Sequence, residues 1–195
     1  MEYYPWLVED EDDSLAGIFD FPRIIEKKGY LLNIGVSVKE WFPDDLVIDF
    51  DKSKGDKLSD SIPNYSTKMV ISAKLKSILE EKSDAQFEYF PVRLRNKKNK
   101  LIEEPYFMAN LLDTVERVNM NKSKFVMDAL VKDQVDWFTH LYLDKKKIPH
   151  DKKIFRPKVK KNLILVREDL AQDILRAKCT GMLFRYLDDY GSEYR

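Results

Sequence analysis

Apolar positions along this chain follow two rhythms. Met69-Val70-Ile71 is a short apolar run, and Ser72 stands where a helix N-cap belongs. Leu75, Ile78 and Leu79 then recur at helical spacing, which predicts a helix over about 72–82. From Phe87 to Leu94 the aromatic and aliphatic groups fall on both faces, the pattern of a largely buried strand. Pro91 lies inside that strand and has no N–H to donate, so it belongs at an edge or a bulge. Asn96 to Lys100 reads as a turn, Leu101 and Ile102 begin a return strand, and Tyr106 to Leu112 continues it. The last third repeats the plan: strand 163–166, helix 168–178 with Leu170, Ile174 and Leu175 on its apolar face, strand 182–187. Gly181 follows that helix, where a positive φ is often needed.

The remaining segments read less sharply. Tyr30 to Val38 and Asp44 to Asp49 are strand candidates, and Val135 to Leu143 is strand-like. Phe125 to Leu130 fits helix or strand. Residues 1–22 read as an irregular arm that docks its aromatics on the core. Asp51 to Ser66 is rich in Lys, Ser, Asp and Gly, which marks a solvated loop and the best internal boundary. The expected architecture is α+β, with a mostly antiparallel sheet, two main helices and a strand–helix–strand unit used twice. An acidic, aromatic region over 1–60 should pack on a domain over 61–195. Phe90, Tyr106 and Phe155 pair aromatic bodies with strand patterns and are expected in the core.

Composition narrows the class. Among 195 residues, 44% are hydrophobic and 35% charged, so one substantial core with a charged surface is expected. No apolar run approaches the roughly 20 residues that cross a bilayer. The start, MEYYPWLVEDEDD, has neither a basic end nor an apolar centre, unlike a signal peptide. A lone Cys179 fits a reducing compartment. These features favour the cytoplasm. Net charge is zero, but residues 1–60 hold 15 acids and 7 bases, a balance of −8, and the rest carries +8. Such a dipolar chain can steer a charged partner.

No catalytic constellation emerges. His140 and His150 lack metal-ligand spacing, and the six glycines are too scattered for a phosphate loop. Cys179 falls at a helix C-terminus, where the dipole disfavours a thiolate. Asp113 and Glu116 are an uninformative acid pair. No metal or cofactor is implied. Two charged stretches remain. Lys145, Lys146, Lys147, Lys152, Lys153, Arg156, Lys158, Lys160 and Lys161 could contact phosphates, although a sequence pI near 6.8 argues against nucleic acid. Glu9, Asp10, Glu11, Asp12 and Asp13 follow Tyr3, Tyr4 and Trp6, so aromatic anchors and charge for fast capture lie in one segment. Arg156, between Phe155 and Pro157, is expected to be an anchor paired with a carboxylate such as Asp113 or Glu116.

ISAKLKSIL, the Phe-Pro-Val at 90–92, PYFMAN ending at Asn110, Ser123, Ile-Phe-Arg ending at Arg156, and LILVREDL followed by Thr-Gly181-Met-Leu-Phe form a recognisable set. In these segments the chain resembles the immunity protein eleven family of bacterial polymorphic toxin systems, formerly a domain of unknown function. The quoted motifs span 66–187. The family tends to carry aspartates shortly after the aromatic-Asn segment; here Glu116 and Asn119 stand in those places. The resemblance implies a cytoplasmic bacterial protein, not an enzyme, that binds and neutralises one cognate toxin domain. Residues 1–60 match least, which makes them candidates for partner contacts. The alternative is a nucleic-acid-associated or small-ligand module using 145–161. A membrane partner is not expected, and the oligomeric state is left open.

Overall fold

The computed structural model describes residues 1–9 and 11–191. In chain order the first elements are β1 (Tyr3–Val8), α1 (Arg23–Lys28), α2 (Tyr30–Asn33), β2 (Leu46–Asp49) and β3 (Met69–Ser72). They are followed by α3 (Ala73–Lys82), β4 (Phe87–Arg95), β5 (Tyr106–Leu111) and β6 (Thr114–Val115). Next come β7 (Lys124–Met127), β8 (Val135–His140), a 3₁₀ turn at Lys145–Lys147 and β9 (Ile154–Pro157). The chain closes with β10 (Leu165–Arg167), α4 (Glu168–Arg176) and β11 (Met182–Phe184). One sheet has the order β11-β1-β10-β9-β6, a second β2-β4-β5-β3, and β7-β8 form a separate ribbon. Pairing is antiparallel except for β2 with β4 and β6 with β9. The fold is α+β, as the pattern predicts.

The strand–helix–strand unit occurs twice with one geometry. β3 and β4 flank β5 and run antiparallel to it; β10 and β11 flank β1 in the same way. A connection between parallel strands needs a crossover, and α3 and α4 supply it. Ser72 caps α3, its Oγ accepting the Leu75 N–H at 3.2 Å. α3 and α4 pack together over Leu75, Leu79, Leu170, Ala171 and Ile174, with Ile71 and Leu111 from one sheet and Ile154 and Val166 from the other. Each fully buried aliphatic side chain of this kind contributes about 1.5–3 kcal/mol. The far side of the four-stranded sheet is covered by Ile18, Phe21, Ile25, Leu32 and Val38. The far side of the five-stranded sheet is covered by Val135 and Phe138 of the ribbon.

Several expectations need correction. Residues 3–8 are not an irregular arm: β1 is hydrogen-bonded between β10 and β11, partners remote in sequence. Residues 11–22 are largely irregular, and they bury Leu15, Ala16 and Ile18. Tyr30 to Val38 is not a strand. It forms α2 and then turns at Gly35, whose φ is +66°. Leu32 and Val38 are buried there, but no strand pairs with this segment among the described residues. Leu175 is 54% exposed; Leu170, Ala171 and Ile174 form the buried stripe, because a small alanine lets α4 sit close at that position. Leu101 makes only an isolated bridge to Arg95, and β5 proper begins at Tyr106. Pro91 is exposed, one residue before β2 begins to cover that flank of β4. Gly181 has φ +88°, and a Cβ there would stand 1.9 Å from the Ser61 carbonyl oxygen.

Candidate functional site

The end of β1 and the residues after it help to line a cleft of about 910 Å³. Trp6, Glu9, Glu11, Asp12, Tyr65, Lys68, Lys160 and Arg185 are among its lining residues. Phe19 packs edge-on against Tyr65 at 5.7 Å, and both rings are largely exposed (59% and 72%). Tyr65 lines the cleft, and an exposed aromatic pair of this kind is an anchor a partner protein can cover. The cleft contains both signs of charge. Glu11 pairs with Arg185 at 3.3 Å, Asp12 with Lys57 at 3.3 Å and Asp13 with Lys54 at 3.2 Å. Hydrogen bonds from Ser14, then Lys57, hold the Asp12 carboxyl below the usual carboxylate range. Burial alone pushes the Lys68 ammonium down; it lies 5.1 Å from the centre of the Phe21 ring.

The residues proposed for partner contact are therefore placed unequally. Tyr3 is 4% exposed, edge-on to Phe155 at 5.4 Å, and its hydroxyl donates to the Lys152 carbonyl at 3.2 Å. Its ring offers no surface. Tyr4 and Trp6 are half-buried against Tyr186 and Phe184. Glu9 is partly exposed, and Glu11, Asp12 and Asp13 are exposed. Asp10 lies outside the described residues.

The motif residues occupy a different place. Arg156 is 2% exposed, and its guanidinium donates only to main-chain carbonyls: Leu111 at 3.0 Å, Asn33 at 2.9 Å, Lys161 at 2.8 Å and Leu32 at 2.9 Å. It is an anchor, as expected, but among the described residues no carboxylate pairs with it. Asp113 is taken by Lys152 at 3.0 Å and Glu116 by Lys158 at 2.9 Å. Two of the four carbonyls are the last of α2, so the cation sits at the negative end of that turn. Burial pushes the guanidinium pKa down to about 10, still charged at neutral pH.

Glu88 and Asn110 face one another across β4 and β5. The Glu88 carboxylate accepts from the Asn110 amide at 3.0 Å, the Val38 N–H at 3.0 Å and the Ser37 hydroxyl at 2.5 Å. Asn110 also donates to the Val36 carbonyl at 2.8 Å. Arg156 and this pair thus fasten residues 32–38 to both sheets. Gly35 fits between them: a Cβ there would meet the Leu111 oxygen at 2.6 Å and Arg156 Cδ at 3.1 Å. Sequence reasoning missed Glu88; its signal is that Phe90, Val92 and Leu94 on the same strand face are apolar, and an acid among them needs a partner.

Other motif residues are structural in the same sense. Phe90 stacks on Phe42 at 4.1 Å, and the buried Tyr106 hydroxyl donates to Ser59 O at 2.8 Å. Asn119 donates to Asp144 at 2.9 Å, and Ser123 Oγ accepts the Tyr142 N–H at 3.0 Å, closing the turn before β7. Among the described residues Glu116 and Asn119 share no partner. Cys179 is buried and its thiol is raised to about 11 by that burial.

The chain thus combines an α+β scaffold held together by its motif residues with a mixed-charge cleft lined in part by the exposed Tyr65. A family model described as an immunity protein family (Imm11) matches residues 11–189, and the chain belongs to that family. The match reaches well into the first 60 residues, where the quoted motifs are silent. No curated protein matches the chain. No described helix is long and apolar enough to cross a membrane.

Proposed function

We propose that this protein neutralises a cognate bacterial toxin domain by forming a one-to-one complex with it in the cytoplasm, without catalysis of its own. The docking surface is the cleft, lined by Glu9, Glu11, Asp12 and Tyr65, with Phe19 packed on Tyr65. The observation that carries this reading is membership of the immunity family together with that lining. Exposed acids speed capture of a basic partner, and exposed rings supply desolvated contact. Residues 1–60 supply much of the contact through side chains after Val8. The nucleic-acid alternative loses ground because Arg156 of the 145–161 stretch is buried and the sequence pI is near 6.8.

The test is co-expression with the toxin encoded beside this chain, with Glu9, Asp10, Glu11, Asp12 and Asp13 changed to their amides. Deleting residues 1–22 would remove an interior strand of the five-stranded sheet, so amides are the cleaner change. Association should slow by about tenfold at low salt, with melting nearly unchanged, since exposed ion pairs contribute about 0–1 kcal/mol each. An unchanged association rate would remove the acidic run from the interface. Failure of the intact protein to bind or protect would sink the immunity reading for that toxin.

A further inference from the structure

The β7–β8 ribbon leaves one edge open. Its register places the two extra residues, Thr139 and Asp136, on β8, so β7 is the regular strand. Among the described residues no strand pairs with the other side of β7. Open edges are usually blunted by proline, by a bulge or by charge. β7 reads Lys-Phe-Val-Met, with charge only at its first residue. Val126 is 42% exposed, and so is its cross-strand neighbour Trp137. Lys124 has no carboxylate partner among the described residues.

We infer that β7 pairs with β7 of a second copy of this chain, antiparallel, about a two-fold axis at Val126. In that register Lys124 stands opposite the second copy's Asp128, and the same pair recurs across the axis. Val126 meets its own symmetry mate. Phe125 stands opposite Met127, where a thioether and a ring pack well. The new four-stranded sheet carries Trp137 and Val126, with their two mates, in one apolar row. A two-fold interface requires self-complementarity, and a strand running from lysine to aspartate has it only when antiparallel. Parallel pairing would set lysine against lysine. Asp128 is available as an anion: its carboxylate caps the Leu130 and Val131 N–H groups at 2.8 and 2.9 Å and keeps lone pairs to spare.

The inference does not depend on the toxin. So short an interface lies below the standard size, and dissociation is expected on the order of 10–100 μM. Sedimentation velocity of the full chain should show a monomer–dimer equilibrium in that range. Lys124→Glu should weaken it at least about tenfold, because like charges then face each other twice. Adding Asp128→Lys should restore it. If loss of the Asp128 cap disturbs folding, Val126→Lys keeps the turn and should also give monomer. Hydrogen exchange over 124–128 should slow as protein concentration rises. A wild-type monomer up to the solubility limit overturns the inference. So does a dimer indifferent to Lys124→Glu and Val126→Lys. Slowing of exchange only when toxin is added would give the edge to the toxin and likewise overturn it.

Discussion

Arg156→Met should cost about 2–3 kcal/mol of stability, net of two opposing effects. Methionine keeps the aliphatic stem and removes every donor. Of the four carbonyls that lose a partner, those of Leu32 and Leu111 are engaged in fully buried bonds. A buried acceptor left unpaired costs about 1–3 kcal/mol, so these two set a gross loss of about 2–6 kcal/mol. Removing a buried cation returns part of that, since its desolvation is only partly offset by hydrogen bonds. Urea denaturation at neutral pH measures the net. Exchange of residues 32–38 should quicken more than the global loss accounts for, because Arg156 is what ties α2 to the sheets. Arg156→Lys is expected to rescue little: a single ammonium cannot reach four carbonyls in a fork and still suffers burial. A loss under about 0.5 kcal/mol for methionine, or full rescue by lysine, would refute the reasoning.

Two further changes test the same frame. Gly35→Ala combines a left-handed backbone with a 2.6 Å clash against the Leu111 oxygen, and should lower stability by about 2 kcal/mol or more in the same urea assay. Asp169 is held down to about 2 mainly by a two-pronged hydrogen bond from Arg167, at 2.7 and 2.9 Å. Its folded pKa lies below the unfolded value, so its contribution is present above about pH 4 and is lost as pH falls toward 2. Asp169→Asn should then cost about 1 kcal/mol at pH 7, allowing for a partly exposed carboxylate, and progressively less as pH falls through 2.

Elements whose signal is local were legible in the chain. Ser72 and the Leu75-Ile78-Leu79 spacing define α3 without help from elsewhere, and the turn at 96–100 fixes the β4–β5 hairpin. β1 was not legible as a strand, because its partners lie more than 150 residues away and its acidic continuation resembles a tail. The run from Tyr30 to Val38 has strand composition, yet its carbonyls bond Arg156 and its Val38 N–H bonds Glu88. Tertiary partners overrode local preference there. Arg156 was legible as an anchor, since arginine between Phe155 and Pro157 must lie along apolar groups. Its partners were not, because main-chain carbonyls leave no mark in a sequence. The cleft was half legible: the acidic run is plain, but Lys54, Lys57 and Arg185 reach it only through the fold.

Those three bases sharpen the test of the acidic run. Glu9 to Asp13 supply five negative charges in the sequence, and the partners Lys54, Lys57 and Arg185 supply three positive ones, a formal balance of −2 for this ion-paired group, with Lys68 and Lys160 of the cleft lining not counted. Converting all five acids to amides leaves +3. The variant therefore does not merely lose attraction for a basic toxin surface; locally it repels it. Salt screens attraction and repulsion alike over a Debye length of about 10 Å at 0.1 M. Association of the native protein should slow as salt rises, whereas association of the variant should quicken or stay flat. Stopped-flow measurement of both from low to moderate salt reads the two slopes directly. A role for the acids through one specific contact would slow the variant at every salt concentration and leave the sign of its salt slope unchanged. Parallel slopes would thus refute steering by the acidic run even if the variant bound more weakly.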